Sequence, residues 1–261
     1  MRTDALPRFA GDFIPWGISG EEEVLGMLAP RPAEALVSAG LMRRTRPDRL
    51  DLLFSQGCVQ AGLDAAADTL IAAGHAGRYR GEAMPLRADW DDAVRGQVDH
   101  AVMRCLGILT DKVHLNGLLR DAGGAARAVW LGRRSKAMRT APGHWDNLAA
   151  GGMSLGADIA STLASEAWEE AAIPADWLGA ARPVQVMLLD YATSEGLSRE
   201  RLHIFDIDLP ADFQPICQDG EIEEFRAMDG VALRALLDGA EPVKHAPHAV
   251  LSAGMARWFR P

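Results

Sequence analysis

Three glutamates in one short segment are the side chains best suited to chemistry. Glu166, Glu169 and Glu170 stand at positions i, i+3 and i+4 between Ser161 and Pro174. In a helix this spacing places the three carboxylates on one face, where like charges repel each other. A solvated face is the ordinary interpretation of such a pattern. We expect instead that the three glutamates hold a divalent metal ion, with Glu166 and Glu170, one turn apart, as its direct ligands.

A glycine-rich stretch precedes this segment and strengthens that expectation. Residues 149 to 156 include Gly151, Gly152 and Gly156, and they lead towards the start of the glutamate-bearing segment. Glycines let the backbone turn sharply, and the N–H groups at the start of a helix attract anions. The stretch therefore predicts a phosphate-binding loop beside a metal site.

Together, the glycine stretch and the three glutamates resemble the Nudix box. When the box is aligned on Gly151, its three metal-binding glutamates fall on Glu166, Glu169 and Glu170. Three other positions depart from the pattern: the first glutamate, the arginine and the final glycine of the box are Ala157, Ser165 and Ala172. These departures motivate an alternative function, that of a non-catalytic Nudix protein that binds or senses a ligand.

Flanking motifs resemble one branch of that superfamily, the Nudix proteins related to thiamine pyrophosphokinase, which carry an extra N-terminal domain. The motifs lie at residues 114–117, 128–135, 142–147 and 219–225. The resemblance implies an α/β fold, with a Nudix α/β/α sandwich preceded by a small α/β domain. It also implies a pyrophosphohydrolase that uses Mg²⁺, or alternatively Mn²⁺, on a small organic diphosphate such as thiamine diphosphate or a damaged analogue. An enzyme similar to isopentenyl-diphosphate isomerase would need a cysteine near residues 142–156, and the chain has none there.

A general base must take a proton from the attacking water. Glu166 could serve if the other two glutamates hold the metal. Glu221 and Glu223 compete for this role, because in a strand they point to one side while Glu224 points to the other. Charges that protect an exposed strand edge would explain them equally well.

Substrate-binding candidates surround the box. Arginine offers paired donors to phosphate oxygens, and a histidine and an asparagine two residues apart in a strand face the same side. Aromatic packing and a core histidine are the ordinary alternatives for some of these side chains. The candidates are Gly151, Gly152, Gly156, Arg133, Arg134, Lys136, His114, Asn116, Trp145 and Asn147.

Composition excludes several classes of protein. With 27 basic and 36 acidic residues, the net charge of −9 offers no footprint for a nucleic acid polymer. Three widely spaced cysteines indicate reduced thiols instead of zinc ligands or disulfides. We expect no membrane span and no signal region, hence a soluble cytoplasmic protein. The oligomeric state is open, with a homodimer as one option.

Periodicity and turn signals predict two domains, residues 1–89 and 90–261. Pro30 and Pro32 predict a break in the first domain. An apolar residue at every fourth position from Val94 to Leu106 predicts a helix that opens the second. The other predicted helices cover residues 59–73, 161–173 and 231–237. Strands are predicted at residues 50–54, 113–119, 128–132, 184–191, 202–209 and 221–228.

Overall fold

The computed structural model describes residues 13–54 and 58–259. The chain divides into two compact units: one extends to Thr110 and includes residues 154–156 and 188–201, and the other contains the remaining residues from Asp111 onward. The boundary at residue 89 stays a prediction. The residues from which we judged the absence of a signal region lie outside the described ranges. None of the helices within those ranges is long and apolar enough to span a bilayer.

The first unit is a small α/β structure, as expected. A four-stranded sheet in the order Gly26–Leu28 (β2), Ile14–Ile18 (β1), Arg49–Leu52 (β4) and Met42–Arg46 (β3) packs with helices around one apolar core, and Ala83–Leu86 (β5) and Gly96–Asp99 (β6) form a separate pair. The prolines predicted as a break instead begin a helix, where a fixed φ is favourable. The elements are β1 (Ile14–Ile18), β2 (Gly26–Leu28), α1 (Pro30–Ser38), β3 (Met42–Arg46), β4 (Arg49–Leu52), α2 (Val59–Ala72), β5 (Ala83–Leu86), β6 (Gly96–Asp99) and α3 (Met103–Leu106).

The helix predicted from Val94 to Leu106 is wrong over most of its length. Val98 lies in β6 and pairs with Met84 of β5, and only the last turn is α-helical. A spacing of four residues is even, so it keeps apolar residues on one side of a strand as well as of a helix. The predicted end of the helix after Leu106 is confirmed, because Gly107 follows it with a left-handed φ of 60°.

Most of the larger sheet belongs to the second unit. Its strands lie in the order Arg182–Thr193 (β11), Gly196–Asp208 (β12), Leu109–Arg120 (β7), Ala126–Arg134 (β8) and Ile222–Met228 (β13), with Ala149–Gly152 (β10) paired to β7 and Trp145–Asp146 (β9) paired to β8. Each strand predicted in this region is present, and the helical patches at residues 175–180 and 236–240 are a 3₁₀ turn and a π turn. The elements are β7 (Leu109–Arg120), β8 (Ala126–Arg134), β9 (Trp145–Asp146), β10 (Ala149–Gly152), α4 (Ile159–Ala171), β11 (Arg182–Thr193), β12 (Gly196–Asp208), β13 (Ile222–Met228), α5 (Gly230–Ala235) and α6 (His245–Trp258).

Alternate residues of the sheet enter two separate cores. Ala128 and Trp130 of β8 pack with α4, whereas Val129 and Leu131 pack with α5 and α6. Because strand side chains alternate between faces, the helices lie on opposite sides of the sheet. The expected α/β/α sandwich is therefore confirmed.

The glutamate-bearing helix α4 has well-defined ends. The Asp158 carboxylate accepts a hydrogen bond from Ser161 N at 2.7 Å, and Asp158 N donates to Ser161 Oγ at 3.0 Å, which makes a capping box. At the other end, Ala172 adopts φ 53° and ψ 35°. This left-handed conformation favours glycine. A glycine, which the resemblance noted above would place here, adopts this conformation without strain.

Candidate functional site

Helix α4 places two of its glutamates directly over strand β10. Glu170 is buried, and its Oε2 accepts a hydrogen bond from Ala150 N at 2.8 Å. The carboxylate of Glu166 lies so close to Gly151 that a Cβ at this position would overlap it. Gly151 therefore matters because it has no side chain, which lets an acidic group approach the strand.

Negative charge is concentrated around Glu170. Burial raises the pKa of Glu170 well above its usual value, and the nearby charges of Asp146 and Glu166 raise it further. Burial also opposes ionisation of Asp146, but Lys244 and Arg134 more than offset this and hold the pKa of Asp146 below its usual value. The interior beside α4 thus contains an acidic cluster that is only partly neutralised by the protein.

The third glutamate, Glu169, differs from the other two in its exposure. Glu169 is exposed on the outer surface of α4. Within the described ranges, no three His, Cys, Asp or Glu side chains converge in an arrangement that could hold a metal ion. The structure therefore brings Glu166 and Glu170 together with Gly151 but leaves Glu169 apart. Two carboxylates suit a hard cation that takes its other ligands from water and phosphate oxygens.

The glycine stretch is not the anion-binding loop that we expected. Residues 149–152 form β10, in which Gly151 pairs with Val113 and Gly152 with Lys112. Gly156 makes the turn that follows, with φ 85°. The start of α4 is capped by the carboxylate of Asp158, whose negative charge disfavours a phosphate there. The prediction that phosphate binds at this helix N-terminus is corrected accordingly.

The predicted phosphate-binding arginines are ion-paired with acidic side chains. Arg133 contacts the carboxylates of both Glu223 and Glu224. The prediction that these two glutamates point to opposite sides is wrong, because a β-bulge shifts the register between residues 222 and 224. Lys136 is exposed, and its backbone N–H donates to Glu223.

Arg134 is buried and pairs with two carboxylates. It lies 3.5 Å from Asp146 and 3.7 Å from Glu221. Four of the proposed site residues are thus held in ion pairs, Arg133 with Glu223 and Arg134 with Glu221. These contacts stabilise the β8–β13 edge and satisfy the charges that we had assigned to catalysis and phosphate binding.

The predicted pocket residues His114, Asn116 and Asn147 are interior. His114 and Asn116 do share one side of β7, as predicted, because both bond to Asn147, at 2.8 and 2.6 Å. Asn116 Nδ2 donates in turn to Asp206, which also accepts from Trp258 Nε1 at 2.7 Å. With 2% of His114 and none of the two asparagines exposed, these side chains brace the interior instead of contacting a substrate.

Trp145 is also unavailable to a ligand. It is fully buried, with the guanidinium groups of Arg226 and Arg133 at 4.6 and 5.7 Å from its ring centroid. Packing and cation–π contact account for this side chain.

Sequence reasoning missed Lys244 and Asp206. Lys244 is the N-cap residue of α6 and bonds to Asp146 at 2.8 Å. A cation at a helix N-terminus is unfavourable. A lysine just before a predicted helix is therefore the sequence signal that could have indicated a buried acidic partner for Lys244. Nothing in the local sequence distinguishes Asp206 from the surface acid Asp208 two residues later.

Comparison with known proteins agrees with this architecture. Nudix hydrolase 20, chloroplastic, from Arabidopsis thaliana is 30% identical over 231 residues, which cover 83% of this chain and 60% of that protein. Nudix hydrolase 24, chloroplastic, from the same plant is 32% identical over 149 residues, or 56% of this chain and 40% of that protein. This chain thus spans only part of the length of these relatives.

Among solved structures, DR0079 from Deinococcus radiodurans has a TM-score of 0.50 at 22% identity, and the match covers 69% of this chain and 100% of that one. This similarity concerns the fold. The model of the NUDIX domain matches residues 112–249. Because this match covers more than half of the 261 residues, the chain belongs to the Nudix family.

Proposed function

We propose that this protein is a metal-dependent hydrolase that cleaves the phosphoric anhydride bond of a small organic diphosphate. The observation that carries the proposal is the placement of Glu166 and Glu170 on α4 against β10, with Gly151 leaving room for the acidic group. Family membership and relatives named as hydrolases support the reaction class.

Glu166 and Glu170 would hold the divalent cation, with exposed Glu169 joining once a substrate is bound. A bound Mg²⁺ or Mn²⁺ would neutralise charge on the phosphoryl oxygens and orient water. The acidic cluster around Glu170 supports this assignment, because a cation offsets the repulsion among Glu166, Glu170 and Asp146. Mg²⁺ is our first choice, since carboxylate and phosphate oxygens are its preferred ligands.

The substrate that we favour is thiamine diphosphate or a damaged analogue. Support comes from the motifs at residues 114–117, 128–135, 142–147 and 219–225, which resemble the thiamine pyrophosphokinase-related branch. A panel of thiamine diphosphate, its oxidised analogues, nucleoside diphosphate sugars and dinucleotides, each with Mg²⁺, tests the choice by product release. Saturable binding without turnover would instead favour the non-catalytic alternative, which Ser165 and Ala157 motivate. A cytoplasmic location and a homodimer stay predictions.

Glu170→Gln tests the role of the buried carboxylate. Glutamine keeps the volume and an oxygen acceptor for Ala150 N, so the fold should survive while the negative charge is lost. A metal ion contributes several kcal/mol of charge stabilisation in such reactions. We therefore expect kcat to fall by roughly 10²-fold or more. Glu34→Gln, at an exposed position on α1, is the matched control, and equal rates for both variants would remove the assignment.

A further inference from the structure

A histidine and an aspartate that sequence reasoning did not select form a close pair in the second unit. His203 Nε2 lies 2.8 Å from Asp111 Oδ1. The His203 side chain is 13% exposed and that of Asp111 is 7% exposed. A carboxylate can only accept a hydrogen bond when ionised, so Nε2 carries the proton. The lone pair of Nδ1 then remains available as an acceptor, and the described residues give Nδ1 no hydrogen bond.

The pair lies on the face of the sheet that α4 covers. Phe205 and Ile207 follow His203 at alternate positions of β12 and pack in the core beneath α4. Val113 and Leu115 do the same after Asp111 in β7. Because alternate residues of a strand share a face, both members of the pair point to the α4 side.

The pair is also near the strand that faces Glu166. Gly151 of β10 is opposite Val113, two residues from Asp111 along β7. Adjacent strands are about 4.8 Å apart and residues rise about 3.4 Å each, which puts the Cα atoms of Gly151 and Asp111 on the order of 8 Å apart. Asp111 is fixed there, since its carbonyl oxygen accepts from Met153 N at 2.9 Å. A diphosphate held at Glu166 would therefore extend within reach of the pair.

We propose that His203, oriented by Asp111, is the general base of the hydrolysis. This inference rests on the proposed function. The oxygen of water forms a bond to the attacked phosphorus, and the bond from that phosphorus to the bridging oxygen breaks with its electron pair left on that oxygen. The proton of the water passes to His203 Nδ1 and then to solvent. Asp111 is a positioning residue, since it fixes the ring and its tautomer.

The other candidates for this role are less suited to it. The carboxylates of Glu223 and Glu221 already serve as ion-pair partners of Arg133 and Arg134. Glu166 is assigned to the metal. A histidine accepts a proton near neutral pH, and a carboxylate partner favours the imidazolium that results.

The test uses the full-length protein and whichever diphosphate of the panel the wild type hydrolyses. Glutamine at position 203 can still donate to Asp111 but cannot take a proton. We expect His203→Gln to lower kcat by about 10²-fold, the lower limit usual for a general base, with KM changed less than about threefold. His248→Gln, on α6 and bonded to Leu237 O, is the matched control and should leave the rate unchanged.

A second variant separates positioning from structure. In the wild-type background, Asp111→Asn should lower kcat about tenfold. In the His203→Gln background the same substitution should change kcat less than about twofold, because the two residues act as one unit. A merely structural Asp111 would slow both backgrounds equally, which would overturn the pairing. Exogenous imidazole should restore part of the activity of His203→Ala, and absence of rescue would count against proton transfer.

If the variants fail to fold, NMR of the wild type still shows whether His203 lies beside the bound diphosphate. Methylene diphosphonate with Mg²⁺ should shift the assigned ring resonances of His203, and unmoved resonances would overturn the inference. The two proposals fail in distinguishable ways. Normal turnover by folded His203→Gln would refute the role of His203 alone, whereas a wild type that hydrolyses nothing in the panel would refute both.

Discussion

Buried and exposed carboxylates on one strand should differ sharply in their effect on stability. Asp206 is buried and accepts hydrogen bonds from Asn116 and Trp258. Asp206→Ala leaves two buried donors without this acceptor, at about 1–3 kcal/mol each, so we expect a loss of about 2–6 kcal/mol in the free energy of unfolding. Asp208→Ala, which breaks surface pairs with Arg120 and Arg182, should cost about 1 kcal/mol or less. Urea titration compares the two, and equal losses would contradict the burial argument.

Substitution of Ala172, the residue after α4, should raise the free energy of unfolding instead of lowering it. Ala172 holds φ 53°, which costs a residue with a Cβ about 1–2 kcal/mol. Ala172→Gly removes that strain but gives the unfolded chain more freedom, worth about 0.4–1 kcal/mol. The net effect is a gain of about 0.5–1 kcal/mol, measurable as a higher midpoint in urea. Ala171→Gly, one residue earlier inside the helix, should destabilise instead.

At the scale of the element, the cap of α4 links stability to pH. Hydrogen bonds from Ser161 N–H and O–H lower the pKa of Asp158. A carboxyl group with a lowered folded-state pKa contributes stability above its unfolded pKa and loses it as pH falls through the folded value. Asp158→Ala should therefore be less stable than the wild type at neutral pH, and the gap should narrow in acid. Unfolding at pH 7 and pH 3 measures this, and a constant gap would refute it.

Elements with a distinctive local pattern could be predicted from the sequence. The α4 helix and the strands of the second unit have the expected periods, and Gly107 ends its helix as glycines do. The segment from Val94 to Val102 could not be predicted, because its even spacing fits a strand equally well. The β-bulge at Glu223 depends on pairing with β8, and no local signal marks it.

For the candidate site, the sequence names the side-chain types but does not give their environments. The partners of Asn116, Asp146 and Arg133 are 90, 98 and 91 residues away in Asp206, Lys244 and Glu224. Whether an arginine meets a phosphate or a glutamate is decided by such distant pairings, which a local motif does not encode. Helical spacing alone could bring Glu166 and Glu170 together, one turn apart, but it could not separate them from Glu169, which is exposed.

At the scale of the whole molecule, metal binding should stabilise one unit selectively. The two units have separate apolar cores, and the proposed ligands Glu166 and Glu170 belong to the second. A ligand that binds only the native state stabilises it by about 2.7 kcal/mol at a hundredfold excess over Kd. We therefore expect saturating Mg²⁺ to slow amide hydrogen exchange in α4 and β10 while leaving α2 of the first unit unchanged. Glu170→Gln should abolish the effect, and Glu34→Gln should keep it. Uniform protection of both units, or none in α4, would contradict a metal site at this helix.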